Sequence, residues 1–214
     1  MQEKTCFPFP GIDGVRVCCH AEPPLSVSRI EYHGRGITEP TGDTCDSCNA
    51  IMKQGELSPA FASLVGRIYN FLKGNLDGDF RDILTPDLIQ SLYPGVFKQD
   101  VMRTLMGTRM GETISYGALA AKAGHPGSAR AVGTAMRTNP LPILVPCHRV
   151  VAGNGLGGYA GEKEGVLMDI KRRLIELEQS APARCDEKIM ADAVSITQDT
   201  VRRLQDSIPE GRSS

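Results

Sequence analysis

At 214 residues, with 41% hydrophobic and 23% charged side chains, the chain has the ordinary balance of a soluble globular protein and is long enough to bury a core of its own. Aromatic residues make up only 5% and Trp is missing, which argues against a multi-base stacking platform of the kind that holds single strands. The formal net charge of −1 gives no overall attraction to nucleic acid, and no apolar run is long enough to cross a membrane.

The start, Met1-Gln2-Glu3-Lys4, is polar and has no signal-peptide pattern. Seven cysteines is an odd number, and reduced thiols in the cytosol or nucleus are the simplest account. The expected location is therefore intracellular, in the nucleus, the cytoplasm or both.

Residues 1–93 read as an N-terminal α/β domain, a small sheet with a helix. Val15-Arg16-Val17 and residues 27–32 have the short, β-branched character of strands, broken by Gly14 and Pro23-Pro24. Residues 38–49, rich in Gly, Thr, Asp and Ser, read as a loop. Ser58-Pro59 supplies an N-cap and a Pro at the first helical position. Phe61, Leu64, Val65, Ile68, Phe71 and Leu72 then follow at helical spacing to a stop near Gly74.

Residues 94–178 read as a mainly helical domain. Phe97, Val101 and Leu105 share one helix face. Residues 115–123 predict a second helix, with Tyr116, Leu119 and Ala120 on one side. His125-Pro126-Gly127 breaks it, and Ser128 is expected to cap a third helix to about Arg137. Two short helices joined by a Gly/Pro turn are the helix-turn-helix pattern; a plain helical hairpin is commoner on pattern alone, and the composition of the third helix decides for the helix-turn-helix. The third helix has small residues at Ala129, Ala131, Gly133 and Ala135, with Arg130 and Arg137 projecting, and a small-residue face suits close approach to a nucleic-acid groove. A loop with five glycines between Gly153 and Gly161 leads to a last helix marked by Val166, Ile170, Leu174 and Leu177. Residues 179–214 read as a tail or peripheral helix, weakly amphipathic over 186–204. There are no internal repeats.

Charge is unevenly spread. Between positions 98 and 149 stand Lys98, Arg103, Arg109, Lys122, Arg130, Arg137 and Arg149 against only Asp100 and Glu112. Such a region can grip a polyanion or simply be solvated.

The sharpest local feature is Asn139-Pro140-Leu141-Pro142-Ile143-Leu144-Val145-Pro146-Cys147-His148-Arg149-Val150-Val151. Proline-bounded apolar residues imply a buried, rigid segment that delivers a Cys next to a His. A buried thiol is inert unless a base or a positive charge favours its anion. His148 can be that base. Neighbouring side chains do not face one another in regular structure, so the proton is expected to pass through a bridging water, with a carboxylate fixing the imidazole tautomer. A structural core cysteine, a cysteine hydrolase and a metal-ligand pair compete on residue type alone. The hydrolase usually draws its base from a distant segment, and adjacent Cys-His lacks the usual metal-ligand gap.

The ordered series Gly111-Glu112-Thr113-Ile114-Ser115-Tyr116, Ala129-Arg130-Ala131-Val132-Gly133, Asn139-Pro140, Pro146-Cys147-His148-Arg149-Val150 and Gly158-Tyr159 resembles the O6-alkylguanine-DNA alkyltransferases, the methylated-DNA–protein-cysteine methyltransferases. It spans about two-fifths of the chain, while residues 1–93 match that family only in size and strand-then-helix order. The resemblance implies that Cys147 accepts the alkyl group, with His148 activating it through water and Glu178 orienting His148. Asn139 would bridge the recognition helix to the active-site turn. Arg130 would enter the base stack in place of the flipped guanine, and Tyr116 would crowd the phosphate, with Gly117 beside it and Arg137 and Lys98 as further DNA contacts. The carbonyls of Cys147 and Val150 would read the guanine amino group, and the N–H of Ala160, after Tyr159, would approach O6. The implied partner is double-stranded DNA carrying O6-alkylguanine, or O4-alkylthymine, entered from the minor groove by a monomer with no required cofactor and no membrane. The implied reaction runs once per molecule. Residues 160–170 depart from the pattern, being longer than the family's usual step from Tyr-x-Gly-Gly into the last helix.

Cys45-Asp46-Ser47-Cys48 has metal-ligand spacing, and Cys18, Cys19, His20 and His33 are candidates to complete a structural zinc site, against free thiols in a loop. Two rival functions remain at this stage: an alkyl-lesion binder without chemistry, whose family relatives lack the acceptor Cys that this chain keeps, and an intracellular cysteine hydrolase, which would turn over repeatedly.

Overall fold

The computed structural model describes residues 3–13, 15–22, 26–34, 58–74 and 79–180. Gly14, Pro23-Pro24, the loop at 38–49 with Cys45 and Cys48, and the amphipathic stretch at 186–204 lie outside the described residues. No helix among the described residues is long and apolar enough to cross a membrane.

Three antiparallel strands, β1 (Glu3–Pro8), β2 (Val15–Glu22) and β3 (Ser26–Gly34), form a sheet in the order β1-β2-β3. Its inner face is alternating and apolar, with Phe7, Val15, Val17, Cys19, Ala21, Ile30 and Tyr32 buried. The sequence reading missed β1, because Pro8 and Pro10 disguise an edge strand, where a missing N–H costs no ladder bond.

Helix α1 (Pro59–Leu72) starts as expected, the Ser58 hydroxyl accepting from the Phe61 N–H. A short helix α2 (Pro86–Leu92), absent from the sequence reading, follows the cap Thr85. Helix α3 (Val96–Met106) buries Val101, Met102 and Leu105. A two-residue strand β4 (Ile114–Ser115) leads into α4 (Tyr116–Lys122), whose N-cap Ser115 accepts from Ala118 N–H. Helix α5 (Ala129–Arg137) packs on α4. Ser128 sits at its N-cap, yet its side chain makes no capping bond, so that expectation is corrected. A 3₁₀ turn (Cys147–Arg149), strand β5 (Val150–Val151) and α6 (Val166–Ser180) complete the described chain.

The small-residue face of α5 also needs correction. Val132, Ala135 and Met136 form the inward stripe, and the outward side carries Arg130, Ala131, Thr134 and Arg137. A helical repeat near 3.6 residues sends Ala135 to the core, where it does not face a groove.

One apolar cluster runs from the sheet through α1 and α3 to the Leu141–Val145 segment and α6. The sheet is tied to that segment by a backbone bond, Ile30 N–H to Pro140 carbonyl at 2.8 Å.

Cys6 and Cys18 are directly opposed in the β1–β2 register and joined by a disulfide. This corrects the expectation that every thiol is reduced. It also weakens the zinc reading. Cys18 is bonded to Cys6, and Cys19 points to the opposite face of β2, where burial pushes its thiol up to about 12. His20 and His33 instead flank Glu31, at 3.4 and 3.5 Å. Among the described residues no group of three or more His, Cys, Asp or Glu is arranged to hold a metal ion, and Cys45 and Cys48 lie outside those residues.

Candidate active site

The segment before Cys147 is strapped by Asn139. Its Oδ1 accepts from the Tyr93 hydroxyl at 2.6 Å and from Leu141 N–H at 3.0 Å, and its Nδ2 donates to the Val145 carbonyl at 3.1 Å. Inside this clamp, Ile143 is held at φ 77°, a left-handed conformation that a β-branched residue adopts only when its surroundings impose it. The clamp thus sets the entry to the 3₁₀ turn that carries Cys147.

Cys147 is buried, with 6% of its surface exposed. Burial raises its pKa, opposed by hydrogen bonds from Asn139 and Tyr159 and by the positive charge of Lys171. His148 is fully buried. Its Nε2 lies 2.7 Å from Glu178 Oε1, and its Nδ1 finds no hydrogen-bond partner among the described residues. A carboxylate on Nε2 fixes the proton there, which leaves Nδ1 as a free lone pair. Burial lowers the His148 pKa, so the resting imidazole is neutral.

Glu178 is the centre of a wider network. Burial alone would raise its pKa, but hydrogen bonds and charge from His148 and Arg149 outweigh that and bring it to about 2. The Arg149 guanidinium meets both carboxylate oxygens, with Nε at 2.8 Å from Oε2 and a second nitrogen at 2.9 Å from Oε1. Its remaining nitrogen donates to the Thr108 carbonyl at 2.8 Å, and Gly111 N–H reaches Glu178 Oε2 at 3.1 Å. Arg149 is therefore buried and paired, and counting it with a DNA-facing basic region is corrected here. The longer 160–170 segment leaves Glu178 in contact with His148.

Sequence reasoning missed Lys171. Its ammonium is fully buried on α6 and donates to the carbonyls of Val150, Leu156 and Gly158 at 2.6, 2.6 and 2.9 Å. Three acceptors match the three donors that only the charged form has. Burial lowers its pKa to about 8, partly offset by attraction to Cys147. The one available signal was a Lys inside the apolar stripe of α6. The Val150 carbonyl, expected to read a base, thus already accepts from Lys171, leaving one lone pair.

Parallel pairing of β4 with β5 sets Ile114 opposite Val150 and Ser115 opposite Val151. This places Tyr116 beside the Cys147 segment, its hydroxyl donating to the Gly158 carbonyl at 3.2 Å. Gly117 and Arg130 are exposed on the same two-helix unit. Lys98 Nζ rests 3.5 Å from Thr138 Oγ1 at the end of α5, and the Arg137 stem crosses the glycine at 161, where an added Cβ would come within 3.2 Å. Ala160 is exposed at φ 48°. Cys147, His148, Glu178, Asn139, Val150 and Tyr159 converge. Arg130, Gly117, Lys98 and Arg137 stand outside this buried group, on the surface of α3, α4 and α5.

A buried thiol stands beside an imidazole–carboxylate–guanidinium chain with a two-helix unit alongside, an arrangement suited to chemistry centred on one cysteine. Residues 96–180 match the family described as "6-O-methylguanine DNA methyltransferase, DNA binding domain". A methylated-DNA–protein-cysteine methyltransferase of Metallosphaera sedula is 39% identical over 135 residues, covering 63% of this chain and 78% of that protein. The Cricetulus griseus protein of that name is 47% identical over 85 residues, 36% of this chain, and the chain spans only 41% of its length. Crystal structures of Mycobacterium tuberculosis O6-methylguanine methyltransferase superpose with a TM-score of 0.59 at 28% identity, covering 86% of this chain and 97% of that one. For the complex of that protein with DNA the values are 0.57, 27%, 84% and 94%. The chain belongs to the methylated-DNA–protein-cysteine methyltransferase family.

Proposed function

We propose that this protein repairs DNA by direct reversal, taking the alkyl group from O6 of guanine onto Cys147 once per molecule. The observation that carries the reading is the His148 imidazole, bonded to Glu178 through Nε2 and with no partner for Nδ1 among the described residues, next in the chain to a buried thiol.

Cys147 loses its proton, through a water, to His148 Nδ1. The imidazolium so formed is stabilised by the Glu178 carboxylate. The thiolate attacks the alkyl carbon in line. The S–C bond forms as the C–O6 bond breaks, and the electron pair leaves with the purine, which then takes up one proton. In this reading the Tyr116 hydroxyl exchanges its bond to the Gly158 carbonyl for one to the purine N3. The proton lost by the thiol balances the one gained by the base, so the step asks for neither metal nor cofactor. The thioether is stable to water, which ends activity after one transfer.

Helices α4 and α5 serve as a helix-turn-helix in this reading. They enter the minor groove of duplex DNA, with exposed Arg130 filling the gap left by the flipped nucleotide. The Val150 carbonyl and the Ala160 N–H read the base. The complex of the mycobacterial relative with DNA supports DNA as the partner. We take the protein to act as an intracellular monomer, with residues 1–93, 94–178 and 179–214 as its units.

Duplex DNA carrying labelled O6-methylguanine should transfer label to protein at no more than one group per chain, and Cys147→Ser should abolish transfer while DNA binding persists. Repeated turnover, or label on the Cys147→Ser variant, would overturn the reading and favour a hydrolase. A duplex carrying O4-methylthymine tests the second substrate.

A further inference from the structure

Tyr32 lies on β3, outside the segment that matches the family, yet its hydroxyl is 3.0 Å from that of Tyr159. Both side chains are buried, with ring centroids 6.2 Å apart. Tyr159 also hydrogen-bonds the Cys147 sulfur. The spacing is held from both sides, since the Ile30 N–H bond to Pro140 fixes β3 against the active-site segment and the Phe9 ring packs edge-on to Tyr32.

Burial keeps both phenols well above their ordinary pKa, so each carries its proton at neutral pH. A neutral phenol can donate only once. A thiolate can only accept, so the Tyr159 proton must point at sulfur. The Tyr159 oxygen must then accept from Tyr32. Once Cys147 is ionised, the direction that satisfies both contacts is Tyr32 Oη–H to Tyr159 Oη and Tyr159 Oη–H to Cys147 Sγ.

We propose that Tyr32 is a positioning residue for the acceptor sulfur, its hydroxyl aiming and polarising the Tyr159 O–H so that the N-terminal sheet helps to hold Cys147 as an anion. The proposal rests on the reading of Cys147 as the acceptor. Hydrogen bonds in series strengthen one another, so losing the outer donor weakens the inner bond without removing it.

The test is the pH dependence of Cys147 alkylation by iodoacetamide, followed by mass mapping of the Cys147 peptide, with methyl transfer from O6-methylguanine duplex measured in parallel. Tyr32→Phe keeps the ring and its packing. It should raise the Cys147 midpoint by about half a pH unit and slow transfer ~3-fold at neutral pH, as expected for the loss of part of one hydrogen bond. Placing 3-fluorotyrosine at position 32 makes a stronger donor and should move the midpoint down, an arm that remains decisive if Tyr32→Phe folds poorly. In a Tyr159→Phe background, Tyr32→Phe should add no further shift. Unchanged midpoints, or a lowered Tm with an unchanged pH profile, would reduce Tyr32 to packing and overturn the proposal. A parent protein that reacts with iodoacetamide but transfers no methyl group would instead sink the functional reading, while the pH profiles still decide the role of Tyr32.

Discussion

Glu178 stays ionised inside the protein because an imidazole, a guanidinium and a backbone N–H all bond its two oxygens. Its folded pKa of about 2 lies below the ordinary 4.5, so its contribution to stability is present above about pH 4.5 and is lost as pH falls toward 2. Glu178→Gln should flatten that acid limb in thermal melts, and it should slow transfer because the imidazolium loses its counter-charge. Lys171 has the opposite sensitivity. Its folded pKa of about 8 lies below the ordinary 10.5, so the folded state releases its proton first, and this group favours folding more as pH rises between those values. The same deprotonation removes a donor from three loop carbonyls and a positive charge from beside the thiol. Transfer should therefore fall on an alkaline limb near pH 8. Lys171→Met leaves three carbonyls without that donor, a loss of roughly 1–3 kcal/mol, and should slow transfer by about tenfold or more in single-turnover assays.

At the scale of elements, the β4–β5 pair is short but decisive, because it brings the start of α4 to the glycine loop. Gly157 sits at φ 69°, and a Cβ there would meet Tyr116 Cε2 at 3.0 Å and the Ala152 nitrogen at 3.1 Å. Gly157→Ala should displace Tyr116 and cost about 1 kcal/mol or more, since Ala is strained at positive φ. The check is a denaturant midpoint alongside a reduced transfer rate. On α5, Arg130 is exposed while Val132, Ala135 and Met136 anchor the helix from behind. Arg130→Ala should thus leave stability unchanged and slow repair more than it weakens duplex binding. An equal loss in both would assign Arg130 to phosphate contact instead of the base stack.

For the whole molecule, the sheet, α1 and the Cys147 segment share one apolar cluster, and two polar links, Ile30 to Pro140 and Tyr32 to Tyr159, cross between them. Unfolding in urea should accordingly be a single transition, with circular dichroism and Cys147 accessibility changing together. An earlier exposure of Cys147 would mean that the active-site segment opens by itself. With Arg149 buried, the basic side chains that reach the surface between positions 98 and 149 reduce to Lys98, Arg103, Arg109, Lys122, Arg130 and Arg137.

Local chemistry was enough to announce several features in the sequence. Ser58-Pro59 opens a helix because the Ser hydroxyl sits next to orphan N–H groups, and the apolar spacing of α1, α3 and α6 follows from helical geometry. Cys147 and His148 were legible because they are chain neighbours within a specific ordered series. Glu178 was legible only through the family resemblance, since thirty positions separate it from His148. What the chain alone could not show were partners brought in by distant segments. The disulfide needs the β1–β2 register to set Cys6 against Cys18. Arg149 reads as a surface charge until Glu178 and Thr108 surround it. Lys171 reads as solvated until three loop carbonyls close on it, and Tyr32 is an ordinary strand residue until Tyr159 folds against it. Caps and periodicity act over a few residues and can be read in order. Burial and charge pairing act through space, so only the tertiary structure decided them.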